Sequence, residues 1–215
     1  MAKRIYIETT IPSFYFESRS APDMVARREW TRSWWRDAAA KYELVTSVAV
    51  LEEIAQDVFP AREECLELIM ALPLVPIDPA VTEIVETNIA RKVMPASPVG
   101  DALHLAVASY HRCDFLLTWN CRHLANANKF DHIRRVNSML GIFVPALVTP
   151  LNSWGTTMPT EHKDEGIQAV RDVREKISAA YENDPERIVT HYLTEQDRYK
   201  DRLLKPLLTA SPPSG

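Results

Sequence analysis

Four stretches of this 215-residue chain carry oxygen-bearing side chains that could act together: Glu8 in "YIETT", Glu52 and Glu53 in "TSVAVLEEI", Asp101 in "SPVGDALHLAVAS" and Asn120 in "LLTWNCRHLAN". Carboxylates brought together repel, and their pKa values rise unless a cation compensates. An all-oxygen donor set suits Mg²⁺ or Mn²⁺. No histidine pair or thiolate stands alongside, which argues against zinc. Asp101 is the most telling of the set. Its neighbours Val99, Ala102, Leu103, Leu105 and Ala106 are small or apolar, so its helix should pack closely against a sheet. A carboxylate at the edge of a core needs a partner or a metal. Taken singly, each residue also has a plain reading. Glu52 and Glu53 fit a solvated helix face, Asp101 a helix N-terminus, and Asn120 a turn.

The elements that must position these residues follow from pattern and punctuation. With 5 Gly and 15 Pro, proline does most of the punctuating. The pattern predicts short strands at Ile5–Ile7, Leu44–Thr46, Leu74–Ile77, Phe115–Thr118 and Ile142–Val144. Helices are expected over Met24–Tyr42, Val48–Asp57 (Ser47 as N-cap), Ala61–Leu72, Pro79–Val93 (Asp78 as N-cap), Pro98–Cys113 and Leu124–Ser138. Pro12 is expected to stop the first run. Alternating strands and helices over residues 1–149 predict an α/β domain, a parallel sheet with helices on both faces. Ligands in such folds bind at the carboxyl ends of strands, where Glu8 and Asn120 fall. Residues 150–163 read as a linker, and 206–215 as disordered. Between them, 164–205 holds two amphipathic helices. One stripe runs Ile167, Val170, Val173, Ile177, Tyr181; the other comprises Ile188, Tyr192 and Leu193, after Asp184 as cap and Pro185. Such helices need the first domain or a second copy to bury their stripes.

Net charge −4 and a pI of about 5.9 argue against broad electrostatic binding of nucleic acid, though not against a local basic rim. Three cysteines, Cys65, Cys113 and Cys121, form no Cys-x-x-Cys pair and suit a reducing compartment. No signal-peptide core or membrane-length apolar run occurs, so a cytoplasmic protein is expected.

In their order and intervals, "IYIETTIPSFYF", "VTSVAVLEEI", "GDALHLAVA" and "LLTWNCRHLANA" resemble a PIN-domain ribonuclease of the VapC toxin type, over residues 4 to about 148. The resemblance implies a PIN-like sheet with acidic residues at its strand ends, holding Mg²⁺ or Mn²⁺. Glu8 would fill the first acidic position, usually Asp; Glu53 the second, with Glu52 turned about 100° away; and Asp101 the third. Asn120 stands where a fourth Asp is usual, and brings an oxygen without a charge. Thr9 and Thr10 match hydroxyls beside the first carboxylate, and Thr118 the hydroxyl before the fourth position. The reaction implied is hydrolysis of RNA phosphodiesters, with Glu8, Glu53 and Asp101 on the metal and Asn120 completing the shell or placing water. His104 would touch substrate or pack. Trp119, Arg122 and His123 would stack on or pair with single-stranded RNA, or Trp119 would be plain core. The runner-up is a catalytically weak PIN-like module that binds RNA or protein.

"IQAVRDVREKISAAYENDPERIVTHYLTEQ" has a second resemblance, to the antitoxin-like helical proteins paired with such toxins. It implies a toxin and antitoxin fused in one chain, acting in cis or on a second copy, with a homodimer expected. Arg171, Arg174 or Lys176 would then approach the acidic residues and compete with the metal.

Overall fold

The structure, a computed structural model, describes residues 2–57, 59–95, 99–121, 124, 127–151 and 165–205. The proposed linker (but for its first two residues), the last ten residues, Arg122 and His123 lie outside these.

Strand β1 (Arg4–Ile7) is central, and its Ile5, Tyr6 and Ile7 are buried. A run buried on both faces is what a parallel sheet covered by helices requires. β1 pairs in parallel with β2 (Glu43–Val45) on one side and β3 (Phe115–Leu117) on the other. β4 (Ala146–Val148) pairs in parallel with β3, so the order is β2-β1-β3-β4. The chain leaves β1 toward β2, whereas β3 lies on the opposite side. The ends of β1 and β3 are therefore the crevice at which such sheets place their sites.

Around the sheet lie α1 (Thr10–Tyr15), α2 (Pro22–Asp37), α3 (Val48–Gln56), α4 (Arg62–Met70), α5 (Ala80–Ala90), α6 (Gly100–Tyr110) and α7 (Ala127–Met139). They cover both of its faces. No helix among the described residues is long and apolar enough to cross a membrane.

Four local expectations are corrected. Pro12 does not stop the chain but sits third in α1. A proline costs nothing there, because the first-turn N–H groups have no intrahelical acceptor. Ser47 precedes α3 without capping it through its side chain, and its hydroxyl bonds Tyr6 instead. The last strand lies at Ala146–Val148 rather than Ile142–Val144. Ile142 and Phe143 are engaged by Asn137, whose carbonyl accepts from Ile142 and whose amide donates to the Phe143 carbonyl. Leu74–Ile77 is no strand either: Pro73 and Pro76 remove donors, and only Leu74 pairs, bridging Thr46 and Leu203.

The C-terminal segment is woven into this domain. α8 (Glu165–Ala180) packs on α1, α3 and α6, and α9 (Pro185–Glu195) on α5 and α3. Ile167, Ile188, Val189 and Tyr192 belong to the same apolar core as the sheet. Between the helices, Glu182 and Asn183 take left-handed φ values of 59° and 56°, and Asp184 caps α9. After α9, a 3₁₀ stretch (Gln196–Arg202) leads to Leu204, whose N–H donates to the Leu74 carbonyl at 2.7 Å. The Gln196 amide acts as a peptide mimic, accepting from Ile77 N at 2.8 Å and donating to Ile77 O at 2.9 Å.

Gln196→Ala removes both of these bonds. A cost of about 1–3 kcal/mol is expected, read by calorimetry as a Tm lower by roughly 2–12 °C for a chain of this size.

Candidate active site

The three acidic residues converge although they lie on three separate elements. Glu8 follows β1, where its N–H bonds the Leu117 carbonyl of β3. Its Oε2 accepts from Thr10 N at 3.1 Å and Thr10 Oγ1 at 2.5 Å. Thr10 Oγ1 in turn accepts from Trp119 N at 2.8 Å, tying the ends of β1 and β3 together. Glu53 lies on the inward face of α3. Its Oε2 accepts from Thr9 Oγ1 and its Oε1 lies 2.9 Å from His104 Nε2. Asp101 stands in the first turn of α6, and its Oδ1 accepts from Asn120 Nδ2 at 3.0 Å. Thr118 Oγ1 accepts from the Asn120 N–H at 2.9 Å and fixes that turn. Glu8, Glu53, Asp101 and Asn120 are all buried.

At the point of convergence lies Arg174 of α8, itself 1 % exposed. Its Nη2 donates to Glu8 Oε1, its Nε to both Glu53 oxygens at 3.0 Å, and its Nη1 to Asp101 Oδ1 at 2.7 Å. One turn earlier, Arg171 Nη2 donates to Asn120 Oδ1 at 3.0 Å. The fork geometry of arginine suits this, because its N–H groups point to several acceptors in one plane. Burial alone would raise the Glu53 carboxyl, but Arg174 and His104 beside it outweigh that and bring it down to about 2. Burial works against the Arg174 charge, yet Glu53, Glu8 and Asp101 more than restore it and push its pKa well up.

Gly100 makes the entry possible. A methyl group there would lie 3.0 Å from Cγ and Cδ of Arg174 and 3.1 Å from Glu53 Oε1. That role was not read from the sequence, although a glycine directly before Asp101 was its signal. The stem of Arg174 is framed by the stripe of α8, since Val170 and Ile177 lie one turn away on either side and are buried.

Other candidates fall elsewhere. Glu52 points away from the carboxylates and meets His191 of α9 at 2.6 Å. Trp119 is fully buried, with its indole N–H donating to Thr31 Oγ1 and its ring stacked on Trp30. His104 is equally buried and touches Glu53 and Tyr6 rather than an open surface. A groove of about 410 Å³ between α3, α4 and α9 is lined by Leu51, Met70 and Tyr199, and none of the three converging carboxylates borders it.

The donor set is right for a hard divalent cation: three carboxylates, each aimed by a protein donor that does not come from α8. Among the described residues, however, no group of three His, Cys, Asp or Glu is arranged to hold a metal ion, and the oxygens of Glu8, Glu53 and Asp101 are taken up by Arg174.

No protein-family model, curated protein or solved structure matches this chain. What stands is the α/β architecture, a four-stranded all-parallel sheet flanked by helices.

The lowered Glu53 carboxyl has a consequence for stability. Its contribution is complete above the ordinary carboxylate value of 4.5 and is lost as pH falls toward about 2. Denaturation of the full chain between pH 5 and 2 is expected to show a steep acid loss of stability, and Arg174→Ala a shallower one.

Proposed function

We propose that this chain is a metal-dependent endoribonuclease of the PIN type, held inactive by its own C-terminal segment. The observation that carries this reading is the gathering of Glu8, Glu53 and Asp101, from three elements, on the one guanidinium of Arg174 beside the strand ends. A purely structural core has no need of three buried carboxylates around one arginine, since apolar packing of similar volume is often as stable or more so.

In the active arrangement α8 lifts away and Arg174 vacates the convergence point. Glu53 and Asp101 would then hold Mg²⁺ or Mn²⁺, which would supply polarisation of the scissile phosphate and activation of water for hydrolysis of an RNA phosphodiester. Glu8, fixed by Thr10, would share in holding it or orient water. Asn120 aims Asp101 through its amide N–H, and its carbonyl oxygen, released from Arg171, becomes free to accept from water or ligate. Since Asn120 brings no charge, one divalent ion would offset all but one of the charges of the three carboxylates. No covalent nucleophile is involved.

The segment acts in two parts. α8 carries both arginines. α9 and the residues after it hold to the core through Tyr192, to Ile77 through Gln196 and to the sheet edge through Leu204. Release of α8 alone, pivoting at the left-handed turn Glu182–Asn183, opens the carboxylates at the cost of exposing its own buried stripe, Ile167, Val170, Val173 and Ile177, while α9 stays on the core. Removing the whole segment would take Val189 and Tyr192 out of the core and free the Leu74 edge, so point variants of the full chain are the informative tests.

Full-length Arg174→Ala leaves three buried carboxylates without their cation, a cost of about 3–5 kcal/mol. It is expected to recover stability with Mn²⁺, as a Tm that rises with metal concentration, and to cleave a mixed RNA pool at least 10-fold faster than the parent chain. Adding Asp101→Asn should abolish both effects. A variant that binds Mn²⁺ without cleaving RNA would point to the binding module instead. No response to Mn²⁺ and no cleavage would sink the nuclease. Asn120→Asp in the Arg174→Ala background adds a fourth carboxylate and is expected to tighten Mn²⁺ binding, measured by calorimetric titration.

A further inference from the structure

We infer that His104, held by a buried Ser47–Tyr6–His104 relay, is the positioning residue that keeps Glu53 aimed at the convergence point once Arg174 has left.

His104 lies one turn beyond Asp101 on α6, the same face of the helix. Its ring is fully buried, and both nitrogens are engaged. Nε2 lies 2.9 Å from Glu53 Oε1, Nδ1 lies 2.9 Å from the Tyr6 hydroxyl, and that hydroxyl lies 2.7 Å from Ser47 Oγ. The polarity of the Glu53 contact follows from chemistry. An ionised carboxylate only accepts, so His104 Nε2 must carry the hydrogen whatever the charge on the ring. Nδ1 then faces a hydroxyl that can donate or accept, and Ser47 can complement either choice. Burial pushes the Tyr6 phenol upward, so it keeps its proton and the relay stays intact. The relay joins β1, the turn before α3, and α6, three parts of the fold that do not belong to α8.

Glu53 is therefore gripped at both oxygens, by Thr9 on Oε2 and His104 on Oε1, through groups that stay when α8 lifts. A glutamate has three side-chain torsions, and two buried anchors remove that freedom in advance. Outer groups of this kind set the orientation and basicity of a metal-binding side chain, and losing one weakens metal binding about 10–100-fold. A packing role alone would ask only for a side chain of similar volume. It would not need both ring nitrogens bonded, one of them to a carboxylate.

The direction of the His104–Glu53 bond is independent of any metal. The consequence for cation binding rests on the function proposed above. Both are testable in the full chain. Long-range ¹⁵N–¹H correlation on histidine-labelled protein reads which ring nitrogen carries hydrogen. A hydrogen on His104 Nε2 is expected, and a neutral ring with hydrogen on Nδ1 alone overturns the proposal. In the Arg174→Ala background, His104→Leu is expected to weaken Mn²⁺ binding by calorimetry at least 10-fold. His104→Gln, whose amide can still donate to Glu53, should restore part of that loss. Undiminished Mn²⁺ affinity in His104→Leu overturns the proposal. So does loss in His104→Leu with no recovery in His104→Gln when thermal melts show both equally folded. If Arg174→Ala itself binds no Mn²⁺, the metal reading fails. The ring tautomer then decides the His104 proposal by itself.

Discussion

The guanidinium of Arg174 surrounded by Glu8, Glu53 and Asp101 is the interaction on which the rest of this structure depends. Three carboxylates taken out of water repel one another, and a cation placed among them offsets that repulsion. Arginine supplies that charge in the one form that the chain itself can carry into a core, with enough N–H groups to reach all three partners. The cost of desolvating such a group is several kcal/mol and is offset only when the hydrogen bonding is complete. Here it reaches that state because each carboxylate also has a separate anchor: Thr10 for Glu8, Thr9 and His104 for Glu53, and Asn120 for Asp101.

The sheet makes the convergence possible. Parallel strands all point their carboxyl ends the same way, so β1 and β3 deliver Glu8 and Asn120 to one edge of the molecule. Threonine hydroxyls then lock the two ends together, since Thr10 bonds both Glu8 and the peptide of Trp119. Helices contribute Glu53 and Asp101 from the layers packed above. The absence of a side chain at Gly100 leaves the gap through which Arg174 reaches them.

The C-terminal segment combines two physically different attachments. α9 and its extension are joined to the domain by apolar burial and by backbone-type hydrogen bonds at Leu74 and Ile77, which no ion can replace. α8 contributes buried apolar residues too, but its deepest contact is ionic. Under the function proposed above, a segment tethered this way would meet the carboxylates at high effective concentration.

Sequence alone determined the alternation of short apolar strands and helices, because periodicity and proline punctuation are local signals. It also singled out Asp101, a carboxylate beside small apolar residues that is awkward to explain locally, and Glu8 and Asn120 by their places after strands, whereas Glu53 rather than Glu52 came from the resemblance of its motif. The two stripes of the C-terminal helices, and the capping of α9 by Asp184, were legible for the same reason. Non-local matters were left to the tertiary structure. Nothing in "VRDVREK" distinguishes Arg174 from Arg171 or Lys176, because their roles depend on which one faces Gly100 across the interface. Ser47 reads locally as a cap, yet its hydroxyl serves Tyr6, a residue 41 positions away. Trp119 beside Asn120 invited a role on RNA, but the packing of α2 buries it. Pairing of Leu74 with Leu203 could not be read from either segment, since a single bridge has no periodicity. Local pattern specifies which groups can do chemistry. Only packing decides which of them meet, and here it decides that the chain's own arginine meets them first.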